Sequence, residues 1–166
     1  MNFSIRQLKK DDWQTLRQIR LEALRLHPNF FAPSRDEFKF TETDWKERLI
    51  NPDGASFGLI NGKNETIGLT GINRDKKDRA FAWLVSSYIQ APHRRMNLTR
   101  LLYEARIQWA KDQNDIHTLV VHHREDNEAS RRSHQKFNFE FIKTYSPEVW
   151  PNGEVVPYVE YRLKIK

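Results

Sequence analysis

The segment from Ala80 to His123 constrains the fold more than any other part of the chain. AFAWLVSSYI (80–89) has the branched and aromatic content of a strand, and HTLVVHH (117–123) reads as a second, shorter one. Between them Leu98, Leu101, Leu102, Ala105 and Trp109 recur at helical spacing and make one apolar stripe. Strand, helix and strand in succession form a crossover unit, which puts the chain in the α/β class.

The flanking segments extend that pattern. Phe3 to Leu8 alternates as a first strand, and Asp11 and Asp12 can cap a helix carrying Trp13, Leu16, Ile19, Ala23 and Leu26 until His27-Pro28 ends it. Residues 29–40 (NFFAPSRDEFKF) are irregular yet aromatic and read as a packed surface loop, followed by a short helix, TDWKERLI, with Thr43 as its cap. SFGLI, the turn Asn61-Gly62 and TIGLTGI read as a hairpin, because Asn-Gly suits the turn that matches strand twist. After the crossover, NEASRRSHQKF is a short helix, and FEFIKTY and VVPYVEYRLKI are strands. The order β-α-α-β-β-β-α-β-α-β-β, mainly antiparallel in its first half, fits one domain over residues 1–166.

Ten Phe, five Trp and five Tyr argue against disorder. The absence of Cys excludes disulfides, thiolate metal sites and a covalent Cys intermediate. No signal-like apolar run opens MNFSIRQLKKDDW and no stretch is long enough to span a bilayer, so the expectation is a soluble cytoplasmic protein without a membrane partner. His93, His117, His122, His123 and His134 lack metal-ligand spacing, so no metal is expected. The net charge of +6 is compatible with nucleic acid, a membrane surface, a phosphorylated small molecule or a merely solvated basic surface.

The stretch YIQAPHRRMNLTRLLY (88–103) puts Arg94 and Arg95 at the mouth of the crossover helix and Arg100 in its first turn. A helix N-terminus already carries partial positive charge, so three cations there suit a bound anion. None of the six glycines lies between 72 and 152, so a glycine-rich phosphate cradle is missing. Asn97 can replace it, because Asn enters the left-handed region more readily than other non-glycine residues, and Asn138 stands at a similar helix-end position. A solvated basic turn before a core helix is the other reading of the same residues.

Three pieces of the chain together resemble the GNAT acetyltransferase superfamily. IRQLKKDDWQTLRQIRLEALRLHPNFF is similar to that family's first strand and helix, YIQAPHRRMNLTRLLYEARIQWA to its strand, Arg-x-x-Gly-x-Gly/Ala loop and helix, and DNEASRRSHQKFNFEF to its Asn-rich turn and last helix. The resemblance implies a central mixed, mostly antiparallel sheet of six to seven strands flanked by about four helices, with two strands splayed into a cofactor cleft. It implies that Arg94, Arg95, Met96, Asn97, Leu98, Thr99 and Arg100 meet the pyrophosphate of acetyl-CoA, with Asn97 and Thr99 replacing small residues. It further implies that the main chain of Ser87 and Ile89 pairs with the pantetheine arm, and that Asn127 touches that arm.

Acetyl transfer to an amine needs a proton acceptor and stabilisation of the departing thiolate. Seven residues after Asn127, where many relatives place Tyr, stands His134. The context Ser130-x-x-x-His134 resembles that of phosphinothricin-type amine acetyltransferases, and an imidazolium of ordinary pKa there would donate a proton to sulfur. For the general base the candidates are His122, or its neighbour His123, since alternate side chains face opposite sides of a strand, and Glu160. The loops at 29–40 and 146–157, the latter carrying Trp150, would shape the site for a small-molecule or peptide amine; a homodimer is compatible with the resemblance. The competing expectation is a non-catalytic basic module, or a degenerate acetyltransferase, that binds RNA, DNA or other anions through Arg94, Arg95, Arg100, Arg131 and Arg132. Nucleic acid is disfavoured, since no helix-turn-helix or aromatic sheet signature is present.

Overall fold

The computed structural model describes residues 2–31 and 36–166. Strand β1 (Ser4–Gln7) is followed by helices α1 (Trp13–Leu26) and α2 (Glu42–Ile50), then by a meander of β2 (Gly54–Ile60), β3 (Thr66–Arg74) and β4 (Phe81–Ile89). Helix α3 (Thr99–Lys111) crosses to β5 (Thr118–Arg124), and α4 (Glu128–Gln135) leads to β6 (Glu140–Thr144). A small hairpin of β7 (Glu148–Val149) and β8 (Val155–Val156) precedes β9 (Tyr158–Lys164). Seven of these strands form one sheet in the order β1-β2-β3-β4-β5-β9-β6. Among its pairings only β4 with β5 is parallel, as the crossover requires. Helices α1 and α2 cover one face through Leu16, Ile19, Leu24, Trp45 and Leu49, and α3 covers the other through Leu102, Tyr103 and Ala110.

Local chemistry explains most element ends and corrects several expectations. Thr41, not Thr43, caps α2: its side chain accepts from the Asp44 N–H, and Asp44 reaches back to the Thr41 N–H at 2.7 Å. Replacing Thr41 with Ala removes that reciprocal cap, and a loss of about 1 kcal/mol in urea unfolding is expected. Asp12 precedes α1 without capping it, because its carboxylate is held by the Arg6 guanidinium and the Lys9 N–H. Leu16, Ile19 and Ala23 are buried as expected, but Leu26, at the frayed end of α1, is 62 % exposed. The 54–74 hairpin forms through a wider loop than the two-residue Asn-Gly turn. The Asn61 side chain accepts from the Lys63 and Glu65 N–H groups, and Asn64, not Gly62, takes positive φ. The expected loop over 29–40 falls partly outside the described residues, at 32–35; within it, Glu37–Lys39 form a single 3-10 turn. The tail loop over 146–157 contains the β7–β8 hairpin, which the sequence pattern had not separated from its surroundings.

Helix α3 is rotated relative to the expected stripe. Leu98, just before it, and Leu102, Arg106 and Ala110 within it are buried at successive i+4 steps with Tyr103 beside them, while Leu101, Ala105 and Trp109 are only half-buried. A charged residue therefore occupies the centre of the buried face.

Strand β4 positions the site. It pairs with β5 only at Phe81↔Thr118, Ala82↔Leu119 and Trp83↔Val120, after which the two strands part. On its other edge Leu69 faces Tyr88 and Gly71 faces Val85, so Ser86 and Ser87 both stand opposite Thr70. This is a bulge, with Ser86 at φ +59°. A bulge bends a strand and increases its twist, and here it turns β4 away from β5. The close approach of β3 at that bend needs Gly68: a Cβ there would lie 2.8 Å from the Tyr88 carbonyl oxygen.

Candidate active site

A cavity of about 1170 Å³ opens where β4 and β5 diverge. It passes through the gap in the sheet, bordered by α1 on one face and by α3 and α4 on the other. Ser87, Ile89, Arg94, Arg95, Asn97, Leu98, Thr99, Asn127, His122 and His134 all border it. Met96, Arg100 and Glu160 do not. Arg100 turns instead to Glu104, one helical turn on, at 2.7 Å. Arg131 likewise pairs with Glu128 at 2.9 Å, so two of the five arginines expected to form a basic face are locally neutralised.

The glycine-free turn does what a glycine turn does. Asn97 takes φ +57° and Asn138 φ +61°, the positions where Asn was expected to stand in for Gly, and Arg95 joins them at φ +64°. Arg95 and Asn97 deliver the chain to the N-terminus of α3, the end of a helix that favours an anion. Thr99 is the first residue of the helix, a position where a β-branched side chain is unstrained. Arg94 is partly committed: its Nε donates to the Ile89 carbonyl at 2.8 Å and its Nη2 donates to His27 Nε2 at 2.9 Å. Burial and the Arg94 charge both hold His27 below its ordinary pKa, which keeps it a neutral acceptor. Asn127 caps α4, its Oδ1 accepting from the Ser130 N–H at 3.1 Å.

On the α1 side of the sheet His122 and Glu160 face each other directly across the β5–β9 ladder, and His122 Nε2 lies 2.8 Å from Glu160 Oε2. Glu160 is 1 % exposed. Burial pushes its pKa up, but hydrogen bonds from Tyr145, His122 and Arg162 outweigh that and hold it below the ordinary value. Because Glu160 is ionised, the proton of neutral His122 sits on Nε2, which leaves the lone pair on Nδ1. Trp83, Tyr145 and Tyr158 surround the ring and fix its orientation, with Trp83 edge-on at 4.6 Å between centroids. Glu160 thus orients a histidine at the cavity wall without reaching the cavity itself.

On the α3 side His134 borders the cavity, but not with the ordinary pKa that its expected role assumed. It is 1 % exposed, its Nδ1 lies 2.8 Å from the Tyr103 hydroxyl, and its ring packs on His123, Phe139 and Tyr161. Burial, aided by His123 and Arg106, lowers its pKa to about 3. At that value the ring is neutral at neutral pH, so an imidazolium is not its resting form. Its folded pKa lies below the unfolded value near 6.5, so the unfolded chain binds the proton first. Stability is therefore expected to fall as pH drops from about 6.5 towards 3. Urea unfolding of His134→Asn should show less of this acid loss than the wild type; equal losses would contradict the assignment. His123 donates its Nδ1–H to the Arg124 carbonyl at 2.5 Å, and its Nε2, like that of His134, is buried without a hydrogen-bond partner among the described residues. His123 and His134 border the cavity on the α3 face of the sheet and His122 borders it on the α1 face, because the cavity crosses the sheet between the splayed strands.

Sequence reasoning missed three contributors. Arg106 looked like a solvent-facing helix residue and is buried. Tyr103 lay beside the expected stripe, and Tyr145 had no pattern to mark it as a partner of Glu160. Trp150 borders the cavity while its Nε1–H donates to the Val156 carbonyl at 3.0 Å and its ring lies 5.2 Å from the Arg124 guanidinium carbon.

Fold and site together define a three-layered α/β protein, with helices on both faces of one sheet and a cavity between two splayed strands. A family model, the acetyltransferase (GNAT) family, matches residues 13–139. The chain belongs to that family and is an acetyl-CoA-dependent transferase by class. Its fold is similar to that of an N-acetyltransferase from Staphylococcus aureus Mu50, with 21 % identity over 100 % of both chains and a TM-score of 0.83. It is also similar to an acetyltransferase of the GNAT family from Streptococcus pneumoniae, with 17 % identity over 99 % of this chain and 100 % of that one and a TM-score of 0.81. A spermidine N-acetyltransferase from Vibrio cholerae, solved with CoA and spermine, shares 13 % identity over 98 % of this chain and 95 % of that one, with a TM-score of 0.79. No curated protein sequence matches the chain significantly.

Proposed function

We propose that the protein transfers the acetyl group of acetyl-CoA directly to a primary amine, with His122 as the general base. The observation that carries this is the meeting, in one cavity, of a carboxylate-oriented histidine with the splayed edges of β4 and β5. The residues present fit the cosubstrate. Beyond Trp83 the facing edges of β4 and β5 have no pairing with each other, so their main-chain groups are available to an extended arm carrying amides. The turn from Arg94 to Thr99 suits the pyrophosphate, and Asn127 borders the path between. When bound, acetyl-CoA supplies an acetyl carbonyl activated as a thioester.

The chain's own residues supply the rest. His122 Nδ1 accepts the proton of the attacking amine, and Glu160 stabilises the imidazolium so formed. The bulge at Ser86 and Ser87 frees main-chain N–H groups from the β3–β4 ladder beside the cavity. His27, Phe30, Phe31 and Trp150 border the α1 side and would receive the acceptor, which the reading confines to an amine of a small metabolite, an amino-acid analogue or a peptide N-terminus. The Vibrio cholerae enzyme, whose structure holds spermine, has the same fold and supports an amine acceptor.

Thermal unfolding with acetyl-CoA, CoA, ATP and pyrophosphate at fixed salt tests the reading. At 100 times its Kd a ligand adds about 2.7 kcal/mol, a shift of several degrees for a domain of this size. Acetyl-CoA is expected to exceed ATP and pyrophosphate clearly, and an amine screen for CoA release then identifies the acceptor. Equal shifts for all four would reduce the turn to a generic anion site.

A further inference from the structure

Arg106 is 2 % exposed, and none of its hydrogen-bond partners is a carboxylate. Its Nε donates to the Leu102 carbonyl at 3.0 Å and its Nη1 to Ser87 Oγ at 2.9 Å. With that oxygen accepting from Arg106, the Ser87 hydroxyl donates to Thr70 Oγ1, 3.0 Å away. The guanidinium carbon lies 4.5 Å from the centre of the Tyr103 ring, and Nη2 is buried with no hydrogen-bond partner among the described residues. Burial lowers its pKa to about 10, so it remains a cation at neutral pH. An uncompensated buried charge is strongly destabilising, so one retained beside a cavity calls for a partner or a catalytic role. Arg106 borders the cavity, on the same side as the unpartnered Nε2 of His134.

A neutral acceptor such as an amide carbonyl would satisfy Nη2 but not balance the charge. The pyrophosphate has its own turn, exposed, at Arg94 to Thr99. In the transfer the amine nitrogen bonds to the acetyl carbon, the C–S bond breaks with its electron pair passing to sulfur, and the amine's proton goes to His122 Nδ1. The group left negative inside the cleft is sulfur, and His134, neutral and holding one N–H at most, cannot match its charge. Resting on the acetyl-CoA reading above, we infer that Arg106, held by Ser87, stabilises the leaving group as a thiolate, so that this site expels sulfur by charge pairing instead of protonation. Arg106 is then a catalytic residue, and Ser87 and Tyr103 position it.

The test is a pH titration of the ultraviolet thiolate absorbance of CoA bound to the full chain. A free thiol ionises near about 8.5, and a cation in contact lowers that by one to three units. Bound CoA is expected to ionise at least one pH unit below free CoA, a tenfold effect. Arg106→Gln, which keeps amide donors without the charge, should abolish the shift while still gaining thermal stability from acetyl-CoA; Arg106→Lys should keep part of it. Bound CoA titrating like free CoA, or Arg106→Gln titrating like the wild type, overturns the role of Arg106 and leaves the acetyltransferase reading standing. The wild-type titration needs no variant, so the first criterion holds even where Arg106→Gln does not fold. Failure of the wild type to bind either CoA or acetyl-CoA overturns both readings at once.

Discussion

Replacing His122 with Ala is expected to lower kcat/KM for acetyl transfer by about 10²–10⁴-fold, the range for losing a positioned general base. The loss should shrink as pH rises, because an amine acceptor deprotonates itself at high pH and no longer needs the imidazole. Glu160→Gln should give a smaller loss with the same sign. Its amide still occupies the place between Tyr145, Arg162 and His122, but it carries no charge to stabilise the imidazolium. Acetyl-CoA binding, read by thermal shift, should be kept in both variants, since neither side chain belongs to the turn or to the β4 edge. A pH–rate profile of His122→Ala parallel to that of the wild type would remove His122 from the mechanism. The acceptor would then have to lose its proton to water.

Glu37→Gln is expected to destabilise the protein by about 3–5 kcal/mol, the loss on breaking a buried ion pair from one side. Glu37 is 3 % exposed and receives both Nε and Nη2 of Arg20, at 2.9 and 2.8 Å, together with Arg48 Nη1 at 2.8 Å. Through these bonds the single 3-10 turn within the 29–40 stretch is tied to both α1 and α2. Without the carboxylate, Arg20 is left as a buried cation beside the cavity. Burial alone would raise the Glu37 pKa, but the hydrogen bonds and charges of Arg20 and Arg48 together lower it. A carboxylate depressed in the folded state adds stability above its unfolded pKa, near about 4.3, and loses it as pH falls through the folded value. The gap in urea midpoint between wild type and Glu37→Gln should therefore be widest near neutral pH and close in acid. A gap that is independent of pH would assign the effect to packing.

Much of the framework was legible because it depends on near neighbours in the chain. The period of apolar residues marked α1 and α3, and the run from Ala80 to His123 announced the one parallel pair. Asn97 and Asn138 were legible as glycine substitutes because left-handed backbone is a matter of local sterics, and both take positive φ. The failures have equally local reasons. Thr41 and Thr43 both satisfy a rule based on residue type, and only Thr41 has an acceptor three residues on that returns the bond. Asp12 would cap α1, had Arg6 not claimed its carboxylate from six residues away. Periodicity treats an arginine as solvent-facing, so it found Leu98 and Leu102 but completed the stripe of α3 with Leu101, Ala105 and Trp109 and passed over Arg106.

His122, Glu160 and His134 could each be nominated from the chain, but their chemistry could not be assigned there. His122 and Glu160 became a pair only through the antiparallel register of β5 and β9, which sets them opposite each other across 38 residues of sequence. His134 lost its charge only when α4 folded it against Tyr103, His123 and Tyr161, because a proton's free energy depends on the dielectric and the charges around it. By itself, then, the sequence determined the order of the elements of the main sheet and its helices, the class of fold, the crossover and the left-handed backbone of the turn before α3, all set by periodicity and sterics within a few residues. The tertiary structure decided which histidine is paired with a buried carboxylate, which one is buried and neutral, and where a guanidinium has no carboxylate partner among the described residues, because pairing, burial and electrostatics act through space between residues far apart in the chain.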